Sequence, residues 1–186
     1  AFFQDRFGLL TFDRGFAAVA GVAPRTGRGH VVHCLEAYET RRGMEPVVGS
    51  PGVSAAVAGS LRSASLVPVI SDFLFDDALD VVGELALVNA RHDVFVVLVD
   101  SAWAFATPDL SAGWVTVHDA EGGASRVVSR RTWRQLAAQA AQWQATVARA
   151  CRAAELDVVV LGADDRQSEL ALAEFVAERR LRRVTR

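Results

Sequence analysis

A doubly wound α/β fold, with a mostly parallel sheet and helices on both faces, is the class this sequence predicts. Three observations carry it. The apolar runs 66–70, 94–99 and 157–161 are continuous rather than alternating, as strands buried on both faces require. Stretches of helical periodicity lie between and after them. At the start, two apolar runs are joined by a short Gly-containing link, so the domain opens with an antiparallel hairpin.

Residues 6–12 and 16–22 are the arms of that hairpin, joined through Asp13-Arg14-Gly15. Residues 24–29 read as a turn-rich link, after which Val31, Cys34, Leu35 and Tyr38 fall at helical spacing in a short amphipathic helix over 30–42. Gly, Pro and Ser mark a surface loop over 43–52, and an Ala-rich second helix follows over 53–61. The strand 66–70 runs into Ser71-Asp72, and Leu79, Val82, Leu85 and Val88 then predict a helix over 76–89. The strand 94–99 ends at Asp100. Residues 114–117 and 125–128 flank Asp119-Ala120-Glu121-Gly122-Gly123 as a solvent-exposed hairpin, an appendage to the sheet ahead of a long helix over 132–154. The strand 157–161 and a helix over 167–180 complete the series, with arginines gathered where the helix dipole favours cations.

A length of 186 residues, 51% of them hydrophobic, with no internal break in composition, suits one domain over 1–186. The net charge of -2 disfavours nucleic acid as a partner. All 20 basic residues are Arg, which reads as the coding habit of a GC-rich genome rather than as a set of guanidinium forks. Cys34 and Cys151, both in helical segments and without Cys-x-x-Cys spacing, point to buried thiols in a reducing compartment. The apolar runs fall far short of the ~20 residues that cross a bilayer. Ala1-Phe2-Phe3-Gln4-Asp5 also lacks the basic and long apolar regions of a signal peptide. The expected setting is cytoplasmic, without membrane contact from this segment, and tethered to a membrane only through segments upstream of it.

Few side chains form a recognisable chemical site. Asp72, at a strand's carboxyl end, is either a ligand or a loop residue that caps the next segment. Asp76, Asp77 and Asp80 precede or open a helix, where N-capping and dipole compensation account for them, and Asp164 and Asp165 repeat the pattern. Gly27-Arg28-Gly29 reads as a tight turn, because the third glycine and the preceding strand of a nucleotide loop are missing. His30, His33, His92 and His118 have no zinc-binding spacing. A serine hydrolase elbow, Gly-x-Ser-x-Gly, does not occur. Trp133 and Trp143 sit at helical spacing and read as core, while Trp114 lies on a hairpin.

The segment Leu66-Val67-Pro68-Val69-Ile70-Ser71-Asp72-Phe73 resembles the fourth strand of von Willebrand factor A domains, which ends in Ser-Asp or Thr-Asp. Further stretches extend the likeness: Asp5-Arg6-Phe7-Gly8-Leu9-Leu10-Thr11-Phe12, Pro24-Arg25-Thr26-Gly27-Arg28-Gly29-His30, Arg91-His92-Asp93-Val94, and Gly113 through Asp119-Ala120-Glu121-Gly122. In order and spacing they look like the bacterial family called domain of unknown function fifty-eight, whose members are often encoded beside MoxR-type AAA+ ATPases. The resemblance covers nearly the whole chain.

That resemblance implies a von Willebrand factor A-like fold in which Mg²⁺ or Mn²⁺ is held by Asp-x-Ser-x-Ser after the first strand, a Thr from a second loop, and an Asp after the fourth strand. Such hard oxygen donors suit octahedral cations. Here Asp72, with Ser71, matches the last element, and Thr26 is a displaced substitute for the Thr. No Asp-x-Ser-x-Ser precedes them, so the metal site is degenerate and a cation is expected only if an upstream motif supplies the rest. Asp109-Leu110-Ser111-Ala112-Gly113 is not that motif, because it follows Pro108, lacks a preceding strand and ends in Gly. The chain is therefore expected to lack the family's first strand and helix. Since that strand sits between 6–12 and 66–70, two strand edges should stand open, to be closed by a second copy, strand exchange or re-pairing.

Functionally, the resemblance implies a protein-interaction or assembly module rather than an enzyme, with a MoxR-type ATPase as partner. The expected contact face comprises Asp72, Phe73, Thr26, Arg28 and His30, at strand carboxyl ends where open α/β sheets bind ligands. No catalytic residue is nominated. The alternatives are a metal-dependent hydrolase of Rossmann-like architecture, with Asp72 and Asp100 sharing one divalent ion, and a metal-free structural oligomer.

Overall fold

The computed structural model describes residues 5–13, 18–40, 42–46, 52–105, 113–118 and 125–184. The Arg14-Gly15 part of the first hairpin link, much of the 43–52 loop, the segment around Asp109 to Ser111 and the tip of the second hairpin fall outside these residues. The chain divides into two compact units, one of Ala1–Pro68, Phe75–Val94 and Ala154–Leu156, the other of Val69–Leu74, Phe95–Ala153 and Asp157–Arg186.

In the first unit, β1 (Arg6–Asp13) and β2 (Ala18–Thr26) form the expected antiparallel hairpin. The structure extends β2 through residues 24–26, where the sequence predicts a turn. Pro24 fits there because the pairing shifts between Phe7 and Leu9. Gly8 lies against it, and a Cβ on Gly8 would come within 2.9 Å of the Pro24 ring. Arg6 then donates from Nε and Nη2 to the Pro24 carbonyl at 3.2 and 2.8 Å, fastening the end of the ladder. Gly27, with φ of 104°, turns the chain into α1 (Arg28–Thr40). This helix buries Cys34 and Ala37, while Leu35 and Tyr38, expected on the inner face, are exposed. A short β3 (Glu45–Pro46), hidden in the sequence by its turn-rich surroundings, pairs with the free side of β2 and gives the order β1-β2-β3.

The helical part of this unit pairs α2 (Val53–Ser60) with α3 (Ala78–Asn89), which buries Ala78, Val81, Val82, Leu85 and Val88 along one stripe. Asp77 occupies the N-cap position of α3 without a side-chain cap bond, and Asp80 lies in its first turn. The start of α2 has no side chain of its own to cap it, since Gly52 is the N-cap. Glu84 of α3 takes that role: its Oε2 accepts the Ser54 amide at 3.0 Å, placing an anion at the positive end of the helix.

The second unit contains the ends of β4 (Leu66–Ser71) and β5 (Asp93–Val99), then β6 (Trp114–His118), β7 (Ser125–Ser129), α4 (Arg130–Ala153), β8 (Asp157–Leu161) and α5 (Asp165–Val184). A short 3-10 helix, Ser101–Phe105, follows β5. The sheet is parallel and ordered β4-β5-β8, with β5 in register from Phe95 against Asp157 to Val99 against Leu161. β5 is buried without a break from Val94 to Leu98, as its continuous apolarity requires. α5 covers the face bearing Phe95, Val97 and Val159 with Ala171, Leu172 and Phe175. Arg179 stacks on the rings of Phe95 and Phe175 and ion-pairs with Asp157. Asp164 caps α5, its Oδ1 accepting the Gln167 amide at 2.9 Å.

The class is thus mixed α/β with a parallel three-stranded sheet flanked by helices. The opening hairpin belongs to its own antiparallel sheet, and β6 and β7 form a separate ribbon on which α4 packs. Among the described residues β1 and β4 are each the outermost strand of their sheets, and Leu66 and Ile70 on β4 are exposed. No helix among these residues is long and apolar enough to cross a membrane.

Two measurements check this packing. Glu84→Ala is expected to cost about 1 kcal/mol in urea unfolding, the usual worth of a lost helix cap. A Cβ at Gly52 would collide with the Glu84 carboxylate, so Gly52→Ala should cost a similar amount, and the double variant should cost less than the sum because both changes remove one contact. Separately, burial pushes the Cys151 thiol from 9.0 up to about 11, with Arg152 acting weakly in the opposite sense. The unfolded chain therefore sheds this proton first: stability should fall as pH rises above about 9 and the loss should level off beyond about 11. Urea midpoints across that range should fall less in Cys151→Ala.

Candidate functional site

At the carboxyl end of the parallel sheet, β4 finishes in two consecutive side-chain turns. The Ser71 hydroxyl accepts the Phe73 amide at 3.0 Å, and Asp72 Oδ1 accepts the Leu74 amide at 3.1 Å. Both side chains satisfy backbone donors that the strand no longer pairs, which is the ordinary chemistry of Ser and Asp in turns. Between them Phe73 adopts φ of 54°, in the left-handed region that a bulky residue enters only at a cost of order 1–3 kcal/mol. Its side chain is 0% exposed, and its burial offsets that strain.

Neighbouring groups clamp the same turn through its carbonyls. Trp143 Nε1 donates to the Phe73 carbonyl at 2.8 Å, and Gln144 Nε2 donates to the Asp72 carbonyl at 2.9 Å. Gln144 also donates to the Val99 carbonyl at 2.8 Å, at the end of β5, while its Oε1 accepts the amide and the hydroxyl of Ser101 at 3.2 and 3.0 Å. One amide, only 6% exposed, thereby uses both hydrogens and both lone pairs. One strand over, Asp100 Oδ1 accepts the Ala102 amide at 2.8 Å, its own amide donates to Leu161 of β8, and Trp133 Nε1 holds the Phe105 carbonyl at 3.1 Å.

The result is a rim of fixed backbone carrying an exposed Asp72 carboxylate. Ile70 at 64%, Leu74 at 39% and Trp103 at 60% exposure lie along the same segments. Ser71, Asp72 and Phe73 are brought together here, and Asp100 terminates the adjacent strand. Thr26, Arg28 and His30 belong to the first unit. Thr26 ends β2 and is exposed, Arg28 opens α1 and is exposed, and His30 Nε2 lies 3.1 Å from the Ala23 carbonyl and 3.7 Å from Cys34 Sγ. Among the described residues no three of His, Cys, Asp and Glu gather as a metal-binding group. His118 Nδ1 meets the Ser125 hydroxyl at 2.8 Å across the β6-β7 ribbon, and His92 is buried with no partner for Nδ1 among the described residues.

Sequence reasoning missed Gln144 as the organising group of this rim. The signal was present: Gln144, Val147, Ala148 and Cys151 share the buried stripe of α4, and a glutamine on an apolar stripe has to find hydrogen-bond partners. Trp133 and Trp143 are half-buried as expected of packing residues, and each also anchors a loop carbonyl.

Gln144→Leu leaves two carbonyls and both Ser101 donors without their partner and should lower stability by about 3 kcal/mol in urea unfolding, with faster hydrogen exchange at the Ser101 amide. Trp143→Phe, which removes one hydrogen bond, should cost about 1 kcal/mol and leave Ser101 protected.

Residues 3–147 match the family model described as a protein of unknown function, DUF58. No curated protein and no solved structure matches the chain. The match spans β1 through most of α4 and includes the whole Ser71-Asp72-Phe73 turn with its Trp143 and Gln144 clamp, and the chain belongs to the DUF58 family.

Proposed function

We propose that this chain is a von Willebrand factor A-like interaction module that acts in the cytoplasm and docks a MoxR-type AAA+ ATPase, or a related assembly partner, on the rim formed by Ser71, Asp72 and Phe73. The observation that carries the reading is the locked turn. Asp72 stands exposed on a backbone already held by Trp143 and Gln144, so a partner would meet it in a fixed geometry and lose little entropy in ordering it. The carboxylate keeps acceptor capacity beyond its bond to Leu74, enough to receive an Arg or Lys of the partner. Exposed Ile70, Leu74 and Trp103 supply apolar area of the kind that accompanies such anchors. Thr26, Arg28 and His30 of the first unit are further proposed contacts, at the turn that opens α1.

Titration calorimetry with a purified MoxR-type ATPase tests the reading. Asp72→Ala should weaken binding by about tenfold, equivalent to ~1.4 kcal/mol, while circular dichroism stays unchanged. Equal affinity for both forms would move the contact away from this rim. Mg²⁺-dependent hydrolytic turnover that disappears in Asp72→Ala and Asp100→Ala would replace the docking role with the hydrolase reading.

A further inference from the structure

We infer that the junction between the β6-β7 ribbon and α4 is a docking surface for an acidic segment of a partner protein. Charge is unevenly shared along this chain. Residues 113–154 hold six arginines against two acidic residues, Asp119 and Glu121, a net of +4 that leaves -6 on the rest of the chain. A GC-rich coding habit accounts for arginine in place of lysine, but not for a stretch from 122 to 154 without one acidic residue. Arg126 on β7 and Arg131 and Arg134 in the first turns of α4 are exposed, and Arg130 beside them is half-buried. Among the described residues none of the guanidinium groups of Arg126, Arg131 and Arg134 has a hydrogen bond or an ion pair.

These charges stand at the unfavourable end of their helix. α4 has no acidic residue in its first turn, so Arg130 and Arg131 lie at the positive end of the macrodipole, which raises the energy of the free chain. An incoming carboxylate relieves both fields at once. The amides of that turn are not the attraction, since Ser129 Oγ accepts the Thr132 amide at 3.1 Å and the Arg130 amide donates to the Gly113 carbonyl at 3.0 Å. What the surface offers is a set of guanidinium forks, which take carboxylates through paired hydrogen bonds. Apolar area adjoins them. Trp114, 69% exposed, lies across the ladder from Ser129, where the ribbon passes into the helix, and Val127 is 64% exposed on the same face of the ribbon. Tryptophan and arginine are the side chains that most often anchor protein interfaces. A nucleic acid or an anionic bilayer would also meet the net -6 of the rest of the chain. A short acidic segment meets the patch alone, because charges beyond about 10 Å are largely screened at 0.1 M salt.

Fluorescence anisotropy of the 186-residue chain with a fluorescein-labelled, glutamate-rich peptide interrupted by leucines tests this. Saturable binding is expected, weakening as sodium chloride is raised. Arg131→Glu combined with Arg134→Glu should raise the dissociation constant by about tenfold or more, and Trp114→Ala by about fivefold. Arg149→Glu, about 22 Å along the same helix from Arg134, should leave it within about twofold. The double reversal should at the same time raise the urea midpoint, because it removes the conflict with the macrodipole. Binding lost with stability gained is a result that misfolding does not give. Absence of saturable binding, equal weakening by Arg149→Glu, a lower urea midpoint in the double reversal, or tighter binding to a deoxythymidine oligonucleotide or to phosphatidylserine vesicles than to the peptide would each overturn the proposal.

Discussion

The second unit is organised around one buried side-chain amide. Gln144 projects from α4 into the gap where β4 and β5 end, where the backbone has stopped making ladder hydrogen bonds and its polar groups need new partners. Because a glutamine amide offers two donors and a carbonyl oxygen with two lone pairs, it closes off the Asp72 and Val99 carbonyls and both Ser101 donors at once. An apolar residue there would leave those groups stranded, and an ionised one would introduce a buried charge among carbonyls. Chemistry therefore restricts this position more tightly than size does.

The same clamp explains how a strained residue persists at the rim. Phe73 is held in the left-handed region by its buried ring on one side and by Trp143 at its carbonyl on the other. Asp72 and Ser71 contribute their side chains to the same turn, so a residue singled out by family resemblance as a ligand is also part of the local scaffold. The backbone contact engages Asp72 through Oδ1, and the residue remains exposed.

Much of the architecture was legible in the sequence where burial on both faces leaves a run of apolar residues, as in β5, or where helical periodicity is long, as in α3 and α4. The opening hairpin was legible from its glycine-containing link. What escaped depends on tertiary partners. β2 continues through Pro24 only because Gly8 and Arg6 accommodate it, and β3 is two residues whose sole reason for being extended is a neighbouring strand. On α1, Cys34 is buried as the stripe predicts, but its companion is Ala37, and Leu35 and Tyr38 are exposed. Small residues let that helix lie close to the hairpin, a preference that periodicity alone does not encode. At the rim, Ser71 and Asp72 were found through the strand that leads to them. Gln144, more than seventy positions away in sequence, was visible only as an oddity on an apolar stripe.

Among the described residues β4 is the outermost strand of its sheet, and Pro68 in its middle has no amide hydrogen to give. A chain laid alongside that border would find its ladder interrupted at one rung, and indiscriminate growth of the sheet into fibrillar stacks would stall there. Proline thus acts as a gatekeeper on a border that exposed Leu66 and Ile70 would otherwise make adhesive.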